Sequence, residues 1–141
     1  MYISELKLEV RYYEQDSMSI VHHSNYIRYF ECGRSQMMKE LGMPMEICEQ
    51  RGVMMPVVDI GIRYAKPAKL GDTLRVVTKF VKWPLAKIYI EHEIYNQNDE
   101  LICKGKVLLG CIDSKSRLPI RVPQFMLDNL SPYYTDEEKN S

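Results

Sequence analysis

The stretch Asn25-Tyr26-Ile27-Arg28-Tyr29-Phe30-Glu31-Cys32-Gly33-Arg34-Ser35-Gln36-Met37-Met38-Lys39-Glu40-Leu41-Gly42 sets the architecture of the chain. Tyr26, Tyr29, Phe30, Gly33, Met37 and Leu41 recur at three- and four-residue steps, and Arg28, Glu31, Arg34 and Lys39 fall mostly off that stripe. This spacing predicts an amphipathic helix with one apolar face. Ser24 or Asn25 is placed to cap its start, and Gly42 to end it. Gly33 in mid-helix costs about 1 kcal/mol against Ala, a cost offset if the helix approaches a sheet closely there. A second, short helix is expected from Pro44 towards Arg51, with Gly52 as its stop.

On both sides of these helices the period is two. Leu6, Leu8, Val10 and Tyr12 alternate with Glu5, Lys7, Glu9 and Arg11, which predicts a half-buried strand. Met54, Pro56, Val58, Ile60, Ile62 and Tyr64 predict a second strand, broken at Lys66-Pro67-Ala68. Further strands are expected over Leu74 to Lys82, Ile88 to Tyr95 and Leu101 to Asp113, with Gly105 and Gly110 permitting curvature in the last. Short links favour antiparallel hairpins among these three. One long apolar helix and one antiparallel sheet must bury each other. The expected fold class is therefore α+β, an antiparallel sheet of about five strands wrapped around one long central helix. A single domain is expected over residues 1–130, with Phe125 to Leu130 as a helical turn, followed by a flexible C-terminal tail over 131–141. Open sheet edges invite pairing with a second copy.

Composition narrows the function. Nineteen Lys plus Arg balance nineteen Asp plus Glu. A chain with no net charge has no general electrostatic drive towards nucleic acid or an anionic membrane. No run approaches the roughly 18 apolar residues of a membrane span, and the charge-alternating N-terminus does not read as a signal peptide, so a cytoplasmic location is expected. Cys32, Cys48, Cys103 and Cys111 form no CxxC pair, so neither a zinc site nor a disulfide scaffold is expected. Nine Met and ten Tyr against three Phe and one Trp suit an adaptable interface or an apolar ligand.

The unusual chemistry lies in the loop Tyr13 to Tyr26, which leads into the helix start. The first N–H groups of a helix lack internal partners and carry positive potential, so such a place can polarise a carbonyl oxygen. A nearby carboxylate can act there as nucleophile or general base. Asp16 is the candidate, although on residue type alone an Asp at this place is more often a turn residue or cap. Glu31, off the apolar stripe, reads first as an exposed partner of Arg28, Arg34 or Ser35. His22 and His23 are adjacent and unsuited to sharing a metal, and no metal site is expected.

The segment Tyr12 to Glu31 resembles the signature of the 4-hydroxybenzoyl-CoA thioesterase type of acyl-CoA thioesterase, which has the hotdog fold. Glu14, Gln15, Asp16, Val21, His23, Asn25, Tyr26, Tyr29, Phe30 and Glu31 carry it. A second block, Ile62-Arg63-Tyr64-Ala65-Lys66-Pro67-Ala68-Lys69-Leu70-Gly71-Asp72, is similar to the family's segment between two strands. Ser19 and Gln15 depart from the family's Gly and Thr. The resemblance implies hydrolysis of an acyl-CoA or acyl-carrier-protein thioester. Asp16 would be the catalytic carboxylate, and the backbone N–H of His23 the polarising donor. It implies Asn25 and Tyr26 at the pocket mouth and Glu31 as a supporting acid. Arg63 and Lys66 are expected as contacts to the phosphates or pantetheine of coenzyme A, and Met, Tyr and Val as the lining of an acyl tunnel. No cofactor is implied, coenzyme A being part of the substrate, and the implied assembly is a homodimer or homotetramer. The alternatives are a hotdog module that binds an acyl thioester without turnover, and a hotdog dehydratase using His22 or His23.

Overall fold

The computed structural model describes residues 1–16, 18 and 20–140. The departure at Ser19 lies outside the described residues. The long helix α1 spans Ser24–Glu40 and buries Tyr26, Tyr29, Phe30, Gly33 and Met37 of the predicted stripe, together with Asn25, Met38 and Arg34, the last of which the spacing places off it. Gly42, at φ +76°, donates to Lys39 O at 3.0 Å, and Met43 N–H donates to Met38 O at 2.9 Å. These two bonds form the Schellman closure of a helix that stops on glycine.

The start of α1 corrects the expectation of a Ser24 or Asn25 cap. His23 holds the N-cap position with helical dihedrals and no side-chain cap bond. The Ser24 N–H donates instead to Nδ1 of His22 at 3.2 Å. Asn25 is unavailable as a cap because its amide is drawn to the carbonyl of Glu14. The short helix α2 covers Met45–Gln50 and is followed by Gly52 at φ +75°.

The strands are β1 (Tyr2–Glu9), β2 (Val53–Met54), β3 (Val57–Tyr64), β4 (Thr73–Phe80), β5 (Ile88–Tyr95), β6 (Leu101–Leu109) and β7 (Ile112–Asp113). Five of them form one antiparallel sheet in the order β1-β4-β5-β6-β3, and β2 and β7 pair separately. Several strand boundaries differ from those the alternation predicts; β4, for one, ends at Phe80 rather than Lys82. The first strand ends at Glu9, and Tyr12, 77% exposed, opens a tight turn over Tyr12–Glu14. The Glu14 carboxylate draws the chain out of the ladder there, accepting from Arg11 N–H at 2.7 Å. The second predicted strand splits into β2 and β3 around Pro56, which has no N–H to give to a ladder. The last splits at Gly110, whose N–H leaves the main sheet for Pro56 O at 2.9 Å.

Two glycines let α1 lie close to the sheet. A Cβ on Gly33 would stand 2.4 Å from Thr78 Oγ1, and one on Gly105 would stand 2.2 Å from Phe30 Cε2. Gly105 therefore serves close packing of the helix on the sheet. The Phe30 ring stacks on His92 at 4.5 Å between centroids, and His92 Nδ1 lies 3.0 Å from Thr78 Oγ1. Burial, with a smaller contribution from Arg34, pushes the His92 imidazole down to about 3. Cys48, Cys103 and Cys111 are buried and Cys32 is exposed.

Helix α3 (Gln124–Leu130) buries Met126 and Leu130. The stretch expected as a flexible tail carries a tight turn at Ser131–Tyr133 and the short helix α4 (Asp136–Lys139). Between them Tyr134 is buried and donates to Phe80 O at 2.7 Å. Among the described residues no helix is long and apolar enough to cross a membrane.

Candidate active site

The loop between β1 and α1 is tied at both ends. Gln15 and Val21 form a bridge, and Asp16 N–H donates to Ile20 O at 2.7 Å. The Asp16 side chain is half-buried. Its Oδ1 accepts from Met18 N–H at 2.7 Å, so the residue is an Asx-turn former. Its Oδ2 has no partner among the described residues.

His22 N–H donates to Glu14 O at 2.9 Å, and the N–H groups of Asn25 and Tyr26 donate to the carbonyls of His22 and His23. The N–H of His23 has no partner among the described residues. Among the described residues it is thus an open donor at the positive end of α1, where an oxyanion would be stabilised. The His23 ring is exposed and lies against that of His22, with centroids 4.2 Å apart.

The second sequence block docks on the first. Val21 N–H donates to Ala68 O at 2.8 Å, Ala68 N–H donates to the Tyr26 hydroxyl at 3.1 Å, and Ile20 bridges Lys69. Tyr26 also meets the Tyr64 ring edge-on. The two segments that carry the resemblance, some 40 residues apart, therefore build one surface. Asn25 and Tyr26 are both buried; Tyr26 holds this junction, while the Asn25 side-chain amide donates to Glu14 O.

The other expected site residues are Glu31, Lys66 and Arg63. Glu31 pairs with Arg34 at 2.6 Å, the helix-face pairing that its spacing allows. Lys66 pairs with Glu100 on the surface. Arg63 lies on the face of the sheet turned away from α1, since its neighbour Ile62 stands opposite Gly105, the residue beneath Phe30. There it lines a groove of about 660 Å³ with Lys79, Glu91, Glu93, Lys104 and Lys106. That groove is charged and is not the expected apolar tunnel.

Glu14 and Tyr29 received no role from the sequence reading. Glu14 is 3% exposed, and its carboxylate accepts from the Tyr29 hydroxyl at 2.9 Å. The signal was a Tyr in a Phe-like position of the apolar stripe, since a buried phenol needs a partner.

Comparison with known proteins gives a consistent picture. Residues 10–130 match the family described as the thioesterase-like superfamily. The chain is 40% identical over 121 residues to the "Putative acyl-CoA thioesterase YneP" of Bacillus subtilis (strain 168), covering 86% of this chain and 88% of that one. A DHNA-CoA thioesterase structure from Staphylococcus aureus superposes with a TM-score of 0.86 at 30% identity, covering 94% of this chain and 89% of the other. A mutant 4-hydroxybenzoyl-CoA thioesterase in complex with 4-hydroxybenzoyl-CoA has the same fold, with a TM-score of 0.81 at 15% identity, over 90% of this chain and 97% of the other.

Proposed function

We propose that this chain, which belongs to the thioesterase-like superfamily and hydrolyses acyl-CoA thioesters, does so with the Asp16 carboxylate and the backbone N–H of His23. The observation that carries this reading is the pair of open valences on one tied loop: Asp16 Oδ2 and the His23 N–H, each without a partner among the described residues. The thioester carbonyl oxygen accepts from the His23 N–H, which stabilises the oxyanion as the carbon becomes tetrahedral. Asp16 removes a proton from water as the water oxygen bonds to that carbon, or it attacks directly and the mixed anhydride is then hydrolysed. In either course the C–S bond breaks, the sulfur leaves with its electron pair and takes up a proton, and the free acid remains.

The working unit is a homodimer. β3 is an edge of the sheet, and Val57, Val58 and Tyr64 on it are about half exposed, a liability that pairing with a second copy removes. The Met- and Tyr-lined acyl site then lies at that seam, beside the buried Asn25 and Tyr26, with Glu31 as a further polar group. Arg63 and Lys66, at and just beyond the end of β3, supply cations for the phosphates of coenzyme A. The same site serves an acyl-carrier-protein thioester, which shares the pantetheine arm.

The test is thiol release from a panel of acyl-CoAs by wild type and Asp16→Asn. The variant is expected to keep its fold and lose at least about 100-fold in kcat, a loss typical of a removed acid–base group. An Asp16→Asn enzyme as fast as wild type would remove Asp16 from the mechanism. Tight binding of acyl-CoA with no thiol released by the wild type would leave a binding module.

A further inference from the structure

Glu14 is a buried carboxylate that the proposed chemistry does not use. A charge so enclosed persists only when its lone pairs are bonded. Oε1 accepts from Arg11 N–H at 2.7 Å and from the Tyr29 hydroxyl at 2.9 Å. Oε2 faces the Arg11 guanidinium at 3.5 Å. Its main chain is equally engaged, because Glu14 O accepts from His22 N–H and from the Asn25 side-chain amide, both at 2.9 Å. One residue therefore joins the turn after β1, the last residue before the N-cap of α1, and the first and second turns of that helix.

This position matters for what lies next to it. Asp16 is two residues beyond Glu14, and His23 follows His22 directly. The Asp16 carboxylate and the His23 N–H are thus each one short step from an atom fixed by Glu14. We propose that Glu14, clamped by Tyr29, is a positioning residue that holds the Asp16 carboxylate and the His23 N–H at their working separation. The inference rests on the roles given to Asp16 and His23 above. Burial first, and then the bond to Glu14, push the Tyr29 phenol well above its ordinary range, so Tyr29 remains a donor across the working pH range. The clamp acts on geometry rather than on affinity. A misplacement near 1 Å at a reacting centre costs on the order of 100-fold in rate, and substrate contacts outside the loop are untouched.

The experiment is steady-state hydrolysis of one good acyl-CoA by Glu14→Ala, Glu14→Gln, Tyr29→Phe and Asp16→Asn, each checked for its folded state by circular dichroism and thermal melting. Glu14→Ala is expected to lose about 100-fold in kcat with KM within about threefold of wild type, the signature of lost alignment. Glu14→Gln retains an Oε1 that accepts from Arg11 N–H and Tyr29, so it returns to within about tenfold of wild type. Tyr29→Phe loses about tenfold in kcat, and combining it with Glu14→Ala adds little, because the two act as one unit. A folded Glu14→Ala with wild-type kcat overturns the proposal. So does a Glu14→Gln as inactive as Glu14→Ala beside a fully active Tyr29→Phe, which would make the charge itself the working group. If Glu14→Ala does not fold, Tyr29→Phe decides: full rate overturns the clamp, and a kcat loss at unchanged KM supports it. An inactive Asp16→Asn beside fully active Glu14 and Tyr29 variants sinks this inference alone. A fully active Asp16→Asn removes the reading beneath it, and the clamp with it.

Discussion

Two polar regions flank α1, and they use their groups in opposite ways. Along the seam with the sheet, Thr78 and His92 are buried and satisfy each other at 3.0 Å beneath the Phe30 ring. At the start of the helix, Glu14 is as buried as they are, but the loop it holds ends in an unpartnered Asp16 oxygen and an unpartnered His23 N–H among the described residues. A closed polar pair gives a unique packing arrangement. An open pair on a fixed frame gives a place for a developing charge. The two regions are thus expected to fail differently: the seam through stability, the loop through rate.

The largest separation of the two comes from Asp16→Asn. A loss of about 1,000-fold in kcat would correspond to about 4 kcal/mol of transition-state stabilisation. Because Asp16 is half-buried and its Asx turn needs only an acceptor, which Asn retains, the melting temperature should stay within about 2 °C of wild type. A large fall in melting temperature would place Asp16 with the seam.

The seam is probed by pH. His92 has its folded pKa lowered from 6.5 to about 3 by burial, so the neutral ring is the native form. Below about pH 6.5 the unfolded chain takes up a proton that the folded chain refuses, and stability falls as pH drops towards 3. Between pH 7 and pH 4 this one group should remove about 3 kcal/mol. His92→Gln keeps a partner for Thr78 and cannot titrate, so its loss over the same interval should be smaller by about that amount. Parallel pH–stability curves, measured by urea unfolding, would show that the seam does not exclude the proton.

Gly105→Ala is the steric counterpart. The added methyl meets the Phe30 ring, which His92 stacks from one side, so neither ring can yield freely. Overpacking of this kind costs about 1–3 kcal/mol. The folded fraction should retain its kcat, which a stopped assay well below the melting temperature would show.

These sites differ in how far the sequence betrays them. The stripe of α1 and its stop at Gly42 are visible because a 3.6-residue period and a positive-φ glycine are local facts. Gly33 could be assigned to close approach for the same reason, since a mid-helix glycine has few other uses. The Thr78–His92 pair was not visible, because two strands must first be placed in register. Asp16 was reached through a motif; Glu14 was within that motif, yet its partner Tyr29 lies 15 residues away and reads as ordinary core. The end of the first strand is hidden for the same cause: Val10 and Tyr12 continue the alternation, while Arg11 N–H is bonded to Glu14 instead of a ladder partner. The docking of Ala68 on Val21 and Tyr26 is likewise long-range, although each half is recognisable alone.

The smallest expected effect concerns Lys66, which stands between the two categories. Its pairing with Glu100 is a surface contact of two partly exposed groups, and such pairs contribute little to stability. Lys66→Ala should therefore leave stability almost unchanged. If Lys66 meets the phosphates of coenzyme A, KM for an acyl-CoA should rise about threefold with kcat constant, and KM for an acyl-pantetheine lacking the nucleotide should not move. Glu100→Gln sharpens the case, because releasing the ammonium from its carboxylate should lower KM for the acyl-CoA alone. Equal changes for both substrates would return Lys66 to the structural side, as one end of an ion pair that links the loop after β3 to the turn between β5 and β6.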